Sequence, residues 1–284
     1  DIPSANLRAL EIHSASRLNI TLEQYRKTQK FRHAVAKFLE ELPGSCRNDP
    51  DVEFLSQEAR VKVATVEHLM AAFSALEIDN ALVEVTGPEL PILDGSSAPF
   101  IYLIHEAGVK TLSAPRRYLK VLKPITVSKG DKRLAVYPSD HFKVTYSIAF
   151  DHPLLRHQSR TVRVTEDVFV DEIAPARTFG FLKEVESLRQ HGLALGGSLE
   201  NAIVIGDTGV LNPLRFEDEF VRHKILDVVG DLALVGYPIV GHVVAHRAGH
   251  ALHTALAAEV LKDQEAWCLV DAPAAVPDGS FDPV

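Results

Sequence analysis

The stretch Phe216-Glu-Asp-Glu-Phe-Val-Arg-His-Lys-Ile-Leu-Asp-Val-Val-Gly-Asp-Leu-Ala-Leu-Val235 decides how this chain is read. Placed at about 100° per residue, Val221, Ile225, Val228, Val229, Leu232 and Val235 gather into one apolar stripe. The segment is therefore a long helix set against a core. On its far side His223, Asp227 and Asp231 recur at i, i+4 and i+8. An imidazole and a carboxylate one turn apart, their Cβ atoms ~6 Å from each other, can reach one metal ion. A polar helix face ordinarily meets water instead, and the spacing alone leaves both readings open.

A hydrolytic zinc site takes three protein ligands and keeps a further position for water. The best third ligand is His68, in the helical pattern Val66, Leu69, Met70, Phe73, Leu76 that starts from a capping Thr65 and closes at Asn80. Glu67 precedes it and can serve as general base for an attacking water. Taken alone, Glu67-His68 also suits a solvated helix start. His250 follows Gly249 where a strand gives way to the last helix, a junction that can aim an imidazole into a cleft as a proton donor. It equally suits a helix start with no role.

Working outward, Arg17–Leu22 and Ala81–Thr86 alternate as strands, and Leu90–Gly95 is a turn entering a helix near Pro99. Strands are expected over Tyr118–Val127, Arg133–Tyr137, Phe142–Phe150 and Gly241–Arg247. Helices are expected over Leu182–His191, stopped by Gly192, and over His253–Trp267. The pattern breaks at Ser113–Arg117, which divides the chain into residues 1–115 and 116–284. Each half mixes sheet and helix, an α+β arrangement of two domains.

Composition narrows the chemistry. A net charge of −8 argues against a nucleic-acid partner. No apolar run reaches the roughly 18 residues of a membrane span, and Asp1–Leu10 lacks the basic and apolar regions of a secretory signal. The two cysteines, Cys46 and Cys268, form no CxxC pair, so any metal is held by histidine and carboxylate and a reducing compartment is expected. A phosphate-binding Gly-x-x-x-x-Gly-Lys-Ser/Thr loop, a Gly-x-Ser-x-Gly elbow and His-Glu-x-x-His are all missing.

Taken in order, Thr65-Val-Glu-His-Leu-Met-Ala-Ala72, Ile92-Leu-Asp-Gly-Ser-Ser-Ala-Pro-Phe100, Ala176-Arg-Thr-Phe-Gly-Phe-Leu182, Leu195-Gly-Gly-Ser198, the Leu214–Asp231 stretch and Gly249-His-Ala-Leu252 closely resemble one family. It is the UDP-3-O-acyl-N-acetylglucosamine deacetylase family of lipid A synthesis in Gram-negative bacteria, matched from about Val61 to Val270. The resemblance implies two similar α+β domains, each layering a sheet against helices, with the active site between them. It implies zinc held by His68, His223 and Asp227, with Glu67 as general base. It further implies His250 as the acid for the leaving amine, Asp231 holding the His250 ring, and Thr178 stabilising the oxyanion. Lys224 corresponds to a residue near the diphosphate, and Phe179 and Phe181 to aromatics on the nucleotide and sugar side. Leu182 and Val185 belong to an insert, Leu182–Val204, that would form the acyl-chain passage.

The expected activity is zinc-dependent hydrolysis of the N-acetyl amide of UDP-3-O-(3-hydroxyacyl)-N-acetylglucosamine by a cytoplasmic monomer with no stable membrane insertion. The alternatives are a zinc amidohydrolase of the same fold acting on another acylated nucleotide-sugar, and a non-catalytic nucleotide-sugar-binding relative. Two departures from the family stand out. Ala9-Leu-Glu-Ile-His-Ser-Ala15 keeps the family's His and Ser but none of its three glycines, and Glu23–Ala59 scarcely resembles it.

Overall fold

The computed structural model describes residues 6–10, 63–83, 89–153, 155–183, 199 and 201–272. The expected strand over 17–22, the divergent stretch 23–59, most of the expected helix over 182–191 with Gly192, and the Leu195–Ser198 motif lie outside the described residues.

The chain is α+β. Strand β1 (Asn6–Leu10) sits between a parallel neighbour, β2 (Ile78–Ala81), and an antiparallel one, β3 (Lys110–Pro115). Helix α1 (Glu67–Ala75) leads into β2, and α2 (Ala98–Ala107) leads into β3. Beyond Arg116 the chain passes into other sheets. Strand β4 (Arg117–Val121) is flanked by β11 (Ile239–Val240) and β13 (Trp267–Asp271). Strands β5 (Ile125–Lys129), β6 (Lys132–Tyr137), β7 (Lys143–Ile148), β8 (Gln158–Arg163) and β12 (His242–His246) form a five-stranded sheet in the order β5-β6-β12-β7-β8. Strand β12 runs antiparallel to β6 and parallel to β7. A short helix, α3 (Glu166–Val168), widens into a π-turn over Phe169–Ile173. Two short parallel strands, β9 (Phe179–Phe181) and β10 (Ile203–Ile205), pair beside the long helix α4 (Glu219–Ala233). Helix α5 (His250–Lys262) closes the order before β13. Among the described residues no helix is long and apolar enough to cross a membrane.

Helix α4 packs on α1, α5 and β7, and α5 covers β5 and β6. The expected stripe of α4, Val221 to Val235, is buried throughout and joins Leu69 and Phe73 of α1, Phe100 and Ile104 of α2, and Val144, Tyr146 and Ile148 of β7 in one core. In β7 these buried residues alternate with half-buried Lys143, Thr145 and Ser147, the period of two read from the sequence.

Several boundaries differ from expectation. Thr65 does not cap α1: its φ is +59° and its hydroxyl donates to Glu89 Oε1 at 2.6 Å, so Val66 takes the cap position. The helix ends at Ala75 rather than Asn80. Glu77 turns left-handed at φ +56°, and Arg116 draws both Glu77 (3.0 Å) and Asp79 (2.8 Å) toward the sheet, so Asn80 lies in β2. The expected strand over 81–86 therefore starts earlier, at Ile78. The expected strand over 118–127 is two strands. Pro124 has no N–H to give a ladder, and the amides of Leu122 and Lys123 both donate to Ala266 O, at 2.7 and 3.1 Å. Helix α4 begins at Glu219, not Phe216, with the Asp218 carboxylate taken up by Arg160 (2.9 Å) and Arg222 (2.5 Å). Helix α5 starts at His250 and ends at Lys262; Trp267 lies in β13, its indole N–H donating to Val260 O at 2.6 Å and satisfying a carbonyl of the last helical turn.

The α1–α4 contact rests on a glycine. A Cβ built on Gly230 would stand 2.0 Å from Glu67 O and 3.1 Å from Glu67 Cα, so the two helices meet backbone to backbone. Gly230→Ala should therefore force them apart and destabilise the fold by at least about 1–3 kcal/mol, as overpacked cores do. Thermal unfolding checks this; an unchanged Tm would show that the contact yields freely.

Candidate active site

The close approach at Gly230 carries His68, the second residue of α1, to the polar side of α4. There the ligand atoms of His68, His223 and Asp227 all lie within 4.8 Å of one another, and all three residues are buried. The polar face of α4 is thus not a solvated one. His223 Nδ1 lies 3.0 Å from Ala176 O. A carbonyl only accepts, so Nδ1 carries the proton and Nε2 turns its lone pair toward Asp227 Oδ1, 3.2 Å away. Among the described residues neither Asp227 Oδ1 nor His68 Nδ1 has a hydrogen-bond partner, although both are buried. Burial pushes the His223 pKa down to about 4, with Asp227 offsetting only part of the effect, so the ring is neutral at pH 7. Burial alone would raise the Asp227 carboxyl, but His223, Lys224 and His250 together hold it well below the ordinary carboxylate range. Acceptors buried against one another repel unless a cation lies among them. Two imidazoles and one carboxylate form the kind of donor set that holds a hydrolytic metal ion.

Around this set stand the acid–base candidates. Half-buried Glu67 opens α1 next to His68. His250 opens α5 behind Gly249, whose extended backbone (φ −157°, ψ 179°) turns the chain out of the strand region. The His250 Nδ1 donates to Asp231 Oδ2 at 2.7 Å, and its Nε2 points back to Asp227 Oδ2 at 3.8 Å. The hydrogen bond to Asp231 raises the His250 pKa to about 9; burial opposes this, and the charges of Asp227 and Asp231 reinforce it. His250 is an imidazolium at neutral pH, equipped to give up a proton.

A buried set of two histidines and a carboxylate with a protonated histidine at its rim suits amide cleavage, and comparison with known proteins agrees. The family model described as UDP-3-O-acyl N-acetylglycosamine deacetylase matches residues 4–262. The chain belongs to this family. A UDP-3-O-acyl-N-acetylglucosamine deacetylase of Syntrophotalea carbinolica is 51% identical over 223 residues, 78% of this chain and 72% of that protein. The protein of the same name from Neisseria meningitidis serogroup C is 53% identical over 215 residues, covering 74% and 70%. That of Acidithiobacillus ferrooxidans is 50% identical over 218 residues, covering 75% and 72%.

The other expected residues of this deacetylase site fall as follows. Thr178 lies just before β9; its N–H donates to Gly95 O at 2.7 Å and its carbonyl accepts from Ile203 at 2.8 Å. Gly95 has φ +84°, and a Cβ there would stand 1.9 Å from Asn201 O, so only glycine lets the 92–100 turn close on Thr178. The same turn reaches the donor set through Ser97, whose buried hydroxyl donates to His68 O at 2.6 Å. Lys224 donates to Asp227 Oδ2 at 2.7 Å and lies over the Phe179 ring, 5.4 Å from its centroid. Phe179 also meets His223 edge-on, and Phe181 packs on Phe150 and His152. Leu182 is exposed beside β9, and Val185 lies outside the described residues.

Sequence reasoning missed two members. Buried Glu219 accepts from Arg177 N, Nε and Nη2 at 3.0, 2.9 and 3.2 Å, clamping the segment that presents Ala176 O and Thr178. It continues the i, i+4 row of His223 and Asp227 by one turn, a signal that was there to read. His253 shares Asp231 with His250 at the i+3 position of α5.

Replacing Asp231 by Asn removes the largest cause of the raised His250 pKa. That pKa should fall from about 9 toward the ordinary histidine value, with its proton lost at lower pH. The alkaline limb of the kcat/KM profile should then move to lower pH; a limb that stays in place would separate Asp231 from His250 ionisation.

Proposed function

We propose that this chain is a zinc-dependent enzyme that hydrolyses the N-acetyl amide of UDP-3-O-(3-hydroxyacyl)-N-acetylglucosamine, releasing acetate, in lipid A biosynthesis. The observation that carries it is the buried convergence of His68, His223 and Asp227, in which Asp227 Oδ1 and His68 Nδ1 have no hydrogen-bond partner among the described residues. Family membership supplies the substrate class, since the relatives are named as deacetylases of this acylated nucleotide-sugar.

In this reading His68, His223 and Asp227 hold the zinc, which when bound supplies Lewis acidity to make water nucleophilic near neutral pH and to polarise the amide carbonyl. Glu67, beside His68, takes a proton from the attacking water. Thr178, held by Gly95 and Ile203 through its backbone, offers a hydroxyl to the developing oxyanion, a role worth ~3 kcal/mol where geometry is favourable. His250 delivers the proton to the leaving nitrogen from Nε2, because Nδ1 is committed to Asp231. Lys224 lies at the rim for the diphosphate, while Phe179 and Phe181 offer aromatic faces to the sugar and nucleotide. Leu182 and Val185 would start the acyl passage. The enzyme acts as a cytoplasmic monomer, divided between residues 1–115 and 116–284; the chain leaves the β2-β1-β3 sheet at Pro115 and enters β4 at Arg117.

Acetate release from the named substrate, before and after chelation and zinc replacement, tests the whole reading. Activity should vanish with the metal and return with one zinc per chain; a folded, zinc-loaded protein that releases no acetate would refute it. The variants then separate the roles. Glu67→Ala should keep its zinc and lose ~10²–10⁴-fold in kcat, the usual range for a general base. Asp227→Ala should instead lose zinc itself, measured by metal analysis after gel filtration, and full occupancy would remove it from the ligand set.

A further inference from the structure

Asp231 holds a second imidazole. His253, one turn beyond His250 on α5, is fully buried, and its Nδ1 lies 2.7 Å from the same Asp231 Oδ2 that accepts from His250. The two rings meet edge to face, their centroids 5.7 Å apart. Burial would raise the Asp231 carboxyl, but the two histidine hydrogen bonds outweigh it and hold the group ionised. An ionised carboxylate only accepts, so His253 Nδ1 carries a proton and His253 acts on Asp231 as a donor.

The other ring nitrogen is engaged as well. His253 Nε2 lies 3.1 Å from the hydroxyl of Tyr146 on β7, and that hydroxyl donates to Ala248 O at 2.8 Å. Tyr146 is itself fully buried, so neither contact exchanges with water. Ala248 stands two residues before His250, in the segment that aims the His250 ring. His253 therefore grips His250 from two sides, through the carboxylate that orders its ring and through the backbone that leads into it. A buried imidazole with both nitrogens engaged on groups that hold a neighbouring residue is a brace; simple packing in an apolar core would be served by leucine.

We infer that His253 is a positioning residue for amide cleavage: it locks the Asp231 carboxylate and, through Tyr146, the Ala248–Gly249 turn, so that His250 Nε2 faces the reacting amide. This rests on the deacetylase reading given above. A wild-type protein that releases no acetate defeats that reading; an active wild type whose His253 variants match it defeats this inference alone.

The experiment compares His253→Leu, His253→Asn and Tyr146→Phe with the wild type for kcat, KM, zinc content and Tm. Asn places an amide N–H near the position of Nδ1 and restores the donor to Asp231; Leu does not. His253→Leu should lower kcat about 10- to 100-fold, the scale expected for a misplaced catalytic group. KM and zinc content should stay within twofold, and His253→Asn should recover most of the loss. In ¹⁵N spectra recorded above pH 9, where the His250 ring is neutral, its remaining proton should stay on Nδ1 in the wild type and the Asn variant, and the Leu variant should show mixed tautomers. Wild-type kcat in His253→Leu overturns the inference. Equal losses in Leu and Asn overturn it too, because they indicate packing alone. Should His253→Leu fail to fold, Tyr146→Phe decides: a reduced kcat at constant KM supports the brace, and an unchanged kcat removes it.

Discussion

Two helices touch without side chains between them where Gly230 of α4 meets the Glu67 carbonyl of α1. Ordinary helix pairs stand 8–10 Å apart because side chains fill the seam, and a Cβ at this point would collide at 2.0 Å. The consequence is chemical. Glu67 and His68 are the first two residues of α1, and the missing Cβ brings them up to Asp227 and His223, one and two turns back along α4. Ser97 holds the His68 carbonyl from the turn before α2, so the approach is fixed from a third side. Without that contact the three donors would be separate polar groups on separate helices, each needing its own partner.

Given the contact, α4 can carry a row of charge through the core. Glu219, His223, Asp227 and Asp231 follow one another at single-turn spacing, and every one of them is buried. Each is answered from a different part of the chain: Glu219 by Arg177, His223 by Ala176 O, Asp227 by Lys224, Asp231 by the two histidines of α5. Such groups add little net stability, and losing one partner of a buried pair costs about 3–5 kcal/mol. What they provide is placement, because each pairing removes a rotational freedom from a side chain at the site. The apolar stripe on the opposite side of the same helix, from Val221 to Val235, supplies the burial that holds the row in place.

Local signals made the sequence legible to the extent that they were sufficient. The three-residue row on α4 and the apolar stripe opposite it belong to one helix, and periodicity exposes both. The alternation in β7 is equally local. Most of the misplaced boundaries share a different cause, being set by a contact distant in sequence: Thr65 by Glu89, Glu77 by Arg116, Leu122 and Lys123 by Ala266; Trp267 is set by the nearer Val260. No window of the sequence contains both partners of these long-range pairs, apart from the short Trp267–Val260 span. His253 carries no sequence signal of its own, because its tie to His250 runs through Asp231, a residue of another helix. Lys224 shows the converse. The resemblance sets it near a diphosphate, while its bond to Asp227 is visible only when the rotamers are.

Two histidines flank Asp227 and behave oppositely, and the difference lies in what each Nδ1 meets. His223 gives its Nδ1 proton to a backbone carbonyl inside the protein; burial then dominates, its pKa falls to about 4, and Nε2 remains a lone pair for a metal. His250, itself half exposed, donates its Nδ1–H to the buried Asp231 carboxylate; the hydrogen bond dominates, its pKa rises to about 9, and Nε2 keeps a proton. On the proposed reading, separating titratable groups in this way lets one site perform both ligation and acid catalysis. Exchanging the partners would exchange the roles: a carboxylate behind His223 would favour a cation where a ligand is needed, and a carbonyl behind His250 would let its proton go too early. The opposite ionisation of the two rings is therefore set at Nδ1, by Ala176 O for one and by Asp231 for the other.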